Sequence, residues 1–276
     1  MSVETLAFIG AGNMASSLIG GLIADGYPPE RIRVSDVQPE ATARLHECYG
    51  VVVLNTNAEA VKGAQVVILA VKPQIMRSVL LELAPALEAT APLLLSIAAG
   101  ISCKSIEAWS GGQGAIVRAM PNTPAMVQSG ATGLYPTAGV SEKQREIAES
   151  ILRAVGVTVW VESESLIDAV TALSGSGPAY FFLLMEAMEE AGVQLGLDRA
   201  TASLLSQQTA LGAGRIALES PENPAELRRR VTSPGGTTEQ AIGRFEALGF
   251  REMVLDAMTA AKKRAETLSE ELGGTH

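Results

Sequence analysis

One stretch, Val170 to Gly192, constrains this chain more than any other: Val-Thr-Ala-Leu-Ser-Gly-Ser-Gly-Pro-Ala-Tyr-Phe-Phe-Leu-Leu-Met-Glu-Ala-Met-Glu-Glu-Ala-Gly. Gly175 and Gly177 let backbone approach backbone or ligand, and Pro178 suits the first position of a helix, where its missing amide has no intrahelical partner. A helix is therefore expected from Pro178 onward. From Tyr180 to Met188 only Glu186 interrupts the apolar side chains, and a helix apolar on nearly every face is expected to be buried. Ahead of this spine, short apolar runs alternate with helical patterns; after it only helical patterns remain. The chain should divide there into a mixed α/β half and an all-helical half, residues 1–163 and 164–276.

The first half opens with an apolar run, Thr5 to Ile9, that ends in Gly10-Ala11-Gly12-Asn13-Met14-Ala15, and a helical pattern follows to about Asp25. In such a strand, turn and helix the first glycine turns the chain and the second admits a pyrophosphate. The third, small residue packs helix on strand, and the free amides of the helix N-terminus face the phosphates. The spacing Gly10, Gly12, Ala15 fits this dinucleotide fingerprint; taken alone it is also compatible with a tight turn. The second strand, Arg31 to Ser35, ends at Asp36, whose carboxylate can accept from the adenosine ribose hydroxyls and would repel a 2′-phosphate, or can cap the helix near Pro39. Further strands are expected at 51–54, 65–70, 93–97, 115–120 and 158–161. Several hand over to small or polar residues, Val71-Lys72-Pro73, Ala98-Ala99-Gly100 and Pro121-Asn122-Thr123-Pro124, at the edge where open parallel sheets hold ligands. The fold class expected is an α/β Rossmann-type dinucleotide-binding domain followed by an all-α helical dimerisation domain.

Bulk properties narrow the partners. A length of 276 residues suits two domains, and a net charge of −9 argues against nucleic acid or an anionic membrane surface, which both select a basic footprint. Cys48 and Cys103 are too few for a disulfide framework and have no metal-ligand spacing, so no metal site is expected and a reducing, cytoplasmic setting is. No stretch reaches the length of a membrane span without a charge or a breaker.

In the second half, Asp198 can cap a helix to about Leu218. Ala202, Leu205, Leu211 and Ile216, added to the spine, exceed what one small helical domain can bury, so a homodimer interlocked through these helices is expected. Val231-Thr232-Ser233-Pro234-Gly235-Gly236-Thr237-Thr238-Glu239-Gln240 leads into another helix, and Thr237 with Gln240 reads as its capping box. Amides after Gly235 and Gly236 at a helix N-terminus form an anion cradle, with no phosphate-loop lysine behind it, so a carboxylate is its natural occupant; a simply capped helix is the plain alternative. The run Arg228-Arg229-Arg230 reads as a solvated face paired with glutamates.

Candidate acids are scarce. His46 lies in a helix of the first half and His276 is the last residue, so no His-Asp dyad can be assembled. β-Hydroxyacid dehydrogenases, which share this architecture, carry a catalytic lysine four residues after a comparable glycine pair, where this chain has Phe181. A ketone would then have no proton donor other than Tyr180. An imine nitrogen is basic enough to be protonated before hydride arrives, which points towards C=N reduction.

Together, Phe8-Ile-Gly-Ala-Gly-Asn-Met14, Ala70-Val-Lys-Pro73, Met120-Pro-Asn-Thr-Pro124, Ala169-Val-Thr-Ala-Leu-Ser-Gly-Ser-Gly-Pro-Ala-Tyr180 and Val231-Thr-Ser-Pro-Gly-Gly-Thr-Thr238 resemble the pyrroline-5-carboxylate reductase family along essentially the whole chain. The resemblance implies reduction of 1-pyrroline-5-carboxylate to L-proline, the last step of proline biosynthesis, with NADPH or NADH. It also implies a dimer with a shared active site, sometimes assembled into decamers. By the same resemblance Gly10, Ala11, Gly12, Asn13, Met14, Ala15, Ser35, Asn57, Ala70, Val71, Lys72, Ala98, Ala99 and Gly100 are cofactor contacts, joined by Asp36 from the strand-end argument. Glu164, Gly236, Thr237 and Thr238 are implied substrate contacts, with Thr238 placed to hydrogen-bond the ring nitrogen. The rivals are a related imine or β-hydroxyacid reductase with another substrate, and a non-catalytic nucleotide-binding regulatory protein.

Overall fold

The structure is a computed structural model and describes residues 3–273. Its chain divides into two compact units, one formed by residues 3–176 with 261–273 and the other by Gly177–Ala260. That division lies later than the sequence boundary at 163/164, and the end of the last helix returns to the first unit.

In the first unit, strands β1 (Leu6–Ile9), β2 (Ile32–Ser35), β3 (Val52–Val53), β4 (Val66–Leu69), β5 (Leu93–Ser96), β6 (Ile116–Met120), β7 (Gly130–Pro136) and β8 (Gly156–Trp160) form one eight-stranded sheet in the order β3-β2-β1-β4-β5-β6-β7-β8. All neighbours are parallel except β6 and β7. The chain reverses direction at β1, running out to β3 and then back through β4, and this switch point places a crevice at the carboxyl ends of β1 and β4. β1, β4 and β5 are buried at every position, as continuous Val, Ile and Leu runs must be when both faces of a parallel sheet are covered.

Connecting helices are α1 (Asn13–Ala24), α2 (Pro39–Tyr49), α3 (Asn57–Val61), α4 (Pro73–Thr90), α5 (Cys103–Trp109) and α6 (Glu142–Arg153). Two apolar clusters fill the two faces of the sheet. Leu18, Ile19 and Leu22 of α1 lie in one, and Met76, Leu80, Leu83 and Leu87 of α4 in the other. The expected capping box of α6 is present, with Ser141 and Gln144 bonding each other's backbone amides.

Strand β7 was not expected. Two glycines and a closing proline in Gly130-Ala-Thr-Gly-Leu-Tyr-Pro136 hide its pattern, and the ladder with β6 tolerates the proline because it comes last. The spine also begins earlier than Pro178. Helix α7 (Leu166–Val170) passes through a π-helical turn, Thr171–Gly175, into α8 (Gly177–Gln194). The close approach to backbone expected at Gly175 and Gly177 is not seen: a Cβ at Gly175 would lie 2.7 Å from Met120 Cε, the movable end of a side chain, and one at Gly177 would meet nothing within 4 Å.

The second unit comprises α8, α9 (Arg199–Glu219), α10 (Pro224–Arg230), α11 (Thr237–Ala247) and the first part of α12 (Phe250–Gly273). Asp198 caps α9 as expected, accepting the Thr201 amide at 3.0 Å. The burial expected for α8 is not met within one chain: Phe181, Phe182 and Leu183 are 61%, 63% and 66% exposed. On α9, Leu204 and Leu211 are likewise open to solvent. So much apolar surface on two adjacent helices calls for a second copy.

Candidate active site

The predicted cofactor residues are tied to one another at the carboxyl ends of β1, β2 and β4. Gly10 adopts φ 105° and donates its N–H to Ser35 O at 2.9 Å. Ser35 is buried, and its hydroxyl donates to Asn57 Oδ1 at 2.6 Å. The Ala11 N–H donates to Asp36 Oδ2 at 2.7 Å, while the other carboxylate oxygen accepts from the Gln38 amide at 2.8 Å. Asp36 therefore braces the glycine turn as well as closing an Asx turn ahead of α2, and each oxygen keeps a lone pair for a hydroxyl. Ala70 follows β4 and donates its amide to Ile9 O at 2.9 Å, while Val71 and the exposed Lys72 lead into α4. Ala98, Ala99 and Gly100 follow β5 and precede α5.

Helix α1 opens on Gly12 with extended backbone and no side-chain cap, so no side chain occupies the amides of its first turn, Asn13 to Ala15. A Cβ on Gly12 would meet nothing within 4 Å. Open space above an uncapped helix N-terminus fits the pyrophosphate of a dinucleotide. Ala15 is buried, as packing of the helix on the sheet requires, and Met14 packs against the same cluster.

In the second unit, Gly236 donates its amide to Ser233 O at 3.0 Å, closing a turn with Pro234 second and Gly235, at φ 68°, third. That is type II turn geometry, for which glycine at the third position is the natural residue. Thr237 and Thr238 are the first residues of α11. The expected capping box between Thr237 and Gln240 does not form, because Gly236 rather than Thr237 occupies the cap position. Instead Glu239 reaches back, its Oε2 accepting the Gly235 amide at 2.8 Å. Gly236 offers no side chain to the amides that follow it, as an anion cradle needs. The three arginines pair with glutamates as expected: Arg228 with Glu246 at 3.1 Å, Arg229 with Glu226 and Arg230 with Glu222.

Glu164 lies in the first unit. Its Oε1 accepts from Arg118 Nη1 at 3.0 Å and from the Cys103 amide at 2.7 Å. Arg118 and Asp168 escaped the sequence reading, although a lone arginine in the buried strand Ile-Val-Arg-Ala-Met was a legible sign that carboxylates surround it. Burial, with Glu164 beside it, pushes the Cys103 thiol up to about 12, so it is no nucleophile at neutral pH. The ring Nδ1 of His46 sits 2.8 Å from Val51 O, a structural contact, and His276 lies outside the described residues. Among the described residues no cluster of His, Cys, Asp and Glu is arranged to hold a metal ion.

Residues 164–268 match the family model described as pyrroline-5-carboxylate reductase dimerisation, and residues 5–100 match one described as NADP oxidoreductase coenzyme F420-dependent. The chain is 56% identical to the pyrroline-5-carboxylate reductase of Pseudomonas aeruginosa over 99% of its own length and all of the relative's. It is 44% identical to that of Haemophilus influenzae over 97% of this chain and 98% of the other. Among solved structures, the Coxiella burnetii pyrroline-5-carboxylate reductase superposes with a TM-score of 0.94 at 48% identity, covering 97% of this chain and 99% of that one. The Plasmodium falciparum pyrroline carboxylate reductase, solved with NADP bound, gives a TM-score of 0.83 at 28% identity over 98% and 99% of the two chains. With both halves matched and near-complete coverage by close relatives, the chain belongs to the pyrroline-5-carboxylate reductase family.

Proposed function

We propose that this chain reduces 1-pyrroline-5-carboxylate to L-proline with NAD(P)H, the last step of proline biosynthesis. The observation that carries the reading is the pair of uncapped helix N-termini, one behind Gly12 and one behind Gly236, each an anion site of the kind the two reactants present. When bound, the nicotinamide cofactor supplies the hydride. In the turn that Gly10 and Ala11 shape through their bonds to Ser35 and Asp36, the open amides of Gly12 to Ala15 would receive the pyrophosphate, Ser35, Asp36 and Asn57 would line the adenosine ribose, and Ala70 to Lys72 with Ala98 to Gly100 would line the remainder of the cofactor. Gly236, Thr237 and Thr238 hold the substrate carboxylate, and the Thr238 hydroxyl bonds the ring nitrogen, orienting the C=N carbon for attack. Glu164 is the proposed substrate contact of the first unit. The ring nitrogen accepts its proton before hydride arrives, so the protein's task is to position and desolvate.

Helices α8 and α9 associate with those of a second copy, as dimers that can build a decamer, in the cytoplasm. By length and composition the helix Leu166–Gln194 could also cross a membrane, but it carries Asp168, Glu186, Glu189 and Glu190, which suit a protein interface better.

Oxidation of NAD(P)H on adding pyrroline-5-carboxylate to the purified chain tests the activity; cofactor binding without turnover would mark a non-catalytic protein instead. Thr238→Ala is expected to lower kcat/KM by about 10- to 100-fold, the worth of one hydrogen bond to a charged group, with an unchanged melting temperature. Unaltered kinetics would remove Thr238 from the mechanism. With the Asp36 carboxylate beside the ribose, NADH should compete with NADPH, and a kcat/KM favouring NADPH by more than about 100-fold would refute that role.

A further inference from the structure

Arg118 is the centre of a buried charged group that the proposed chemistry does not call on directly. It is 3% exposed, in a strand whose other residues are apolar. Its Nη1 donates to Glu164 Oε1 at 3.0 Å, its Nη2 lies 3.6 Å from Asp168 Oδ1, and its Nε has no hydrogen-bond partner among the described residues. Replacing such an arrangement with packed apolar side chains is often neutral or stabilising, so a buried guanidinium is weak evidence of a purely structural role.

What the group accomplishes is visible at Glu164. The same Oε1 that Arg118 holds also accepts the Cys103 amide at 2.7 Å, and Cys103 is the first residue of α5. The segment immediately before α5, Ala98 to Ser102, is the loop that leaves β5 at the ligand edge of the sheet. The far side of that loop is fixed too, since Leu268 and Leu272 of α12 pack within 3.4 Å of where a Cβ on Gly100 would stand. Without a guanidinium beside it, the Glu164 carboxylate would be free to turn towards solvent, and the first amide of α5 would lose its acceptor.

We infer that Arg118 is a positioning residue for the reductase site: acting through Glu164, it fixes the Ala98–Gly100 loop against which the cofactor lies and sets the direction of the Glu164 carboxylate. The inference rests on the proposed function. Asp168 holds the other side of the guanidinium more loosely, at a distance beyond hydrogen bonding.

The test is a double-mutant cycle on the full-length protein with R118K, E164A, which removes the oxygen that accepts both bonds, and the double variant. NAD(P)H dissociation constants are read by fluorescence quenching, kinetics by NAD(P)H oxidation, and folding by thermal melts. At a temperature where all are folded, each single variant should weaken NAD(P)H binding by about tenfold and lower kcat, a loss expected from displaced contacts. The double variant should fall no more than about twofold below the worse single, because both changes break one linkage. Multiplicative losses would overturn the inference, as would a lowered melting temperature with cofactor binding unmoved. Should R118K not fold, E164A, which removes the shared acceptor, decides through its cofactor dissociation constant, and an unchanged value rejects the linkage. Asp168→Asn leaves the Arg118–Glu164 bond intact and should bind cofactor within about twofold of the unmodified protein; a tenfold loss there would place the effect outside Glu164. The binding measurement stands even if the unmodified protein fails to turn over pyrroline-5-carboxylate, so failure of the proposed activity and failure of the linkage give different results.

Discussion

Leu183→Glu should convert the homo-oligomer to monomers and lower turnover of pyrroline-5-carboxylate by about 100-fold or more. In the single chain Leu183 is 66% exposed, so the new carboxylate meets solvent there and leaves the chain's own packing alone. Its effect appears only on association. Burying a leucine contributes about 1.5–3 kcal/mol, and a symmetric contact loses that twice while desolvating two unpaired charges at several kcal/mol each. An interface built on the neighbouring Phe181, Phe182, Leu204 and Leu211 cannot absorb so large a loss. Activity should follow because the family resemblance implies an active site shared between subunits. Light scattering after size exclusion reads the mass, and the melting temperature should lose its dependence on protein concentration. A variant with undiminished mass would move the interface off this face of α8, and a fully active monomer would show that the site is complete within one chain.

Most of the fold was legible because its signals are local. Continuous apolar runs in β1, β4 and β5 leave no alternative to buried parallel strands, and Asp198 and Ser141 mark helix starts through bonds to amides three residues on. The misreadings share a different cause, in that their outcome is set by residues distant in sequence. β7 is a strand because β6 and β8 flank it, not because Gly130-Ala-Thr-Gly favours extension. Thr237 fails to cap α11 because the turn at Ser233 to Gly236 delivers the chain one residue early. The exposure of α8 in one chain is a property of the assembly, on which a single sequence bears only through its surplus of apolar residues. At the candidate site, glycine spacing pointed to the right turn, while the second duty of Asp36, bracing Ala11 across 25 residues, follows from the pairing of β1 with β2.

Gly10→Ala and Gly12→Ala, two residues apart in one motif, should fail in different ways. Gly10 sits at φ 105°, where an L residue is strained by about 1–3 kcal/mol, and its Cβ would stand 2.7 Å from the Ala70 carbonyl oxygen. That neighbour is backbone at the end of a buried strand and cannot rotate away. Gly10→Ala should therefore destabilise the first unit by about 2–4 kcal/mol and push on the Ala70–Val71 segment, lowering both the melting temperature and cofactor affinity. Gly12 has φ −70°, open to any residue, and space around its would-be Cβ. Gly12→Ala should stay within about 1 kcal/mol of the original stability. On the proposed function its methyl group would nevertheless stand where the pyrophosphate approaches the helix N-terminus, and the NAD(P)H dissociation constant should rise about 100-fold. Thermal melts and cofactor titrations on both variants separate the two effects. If Gly12→Ala bound NAD(P)H normally, the glycine would owe its place to neither fold nor ligand, and the pyrophosphate would have to be placed elsewhere on the sheet edge.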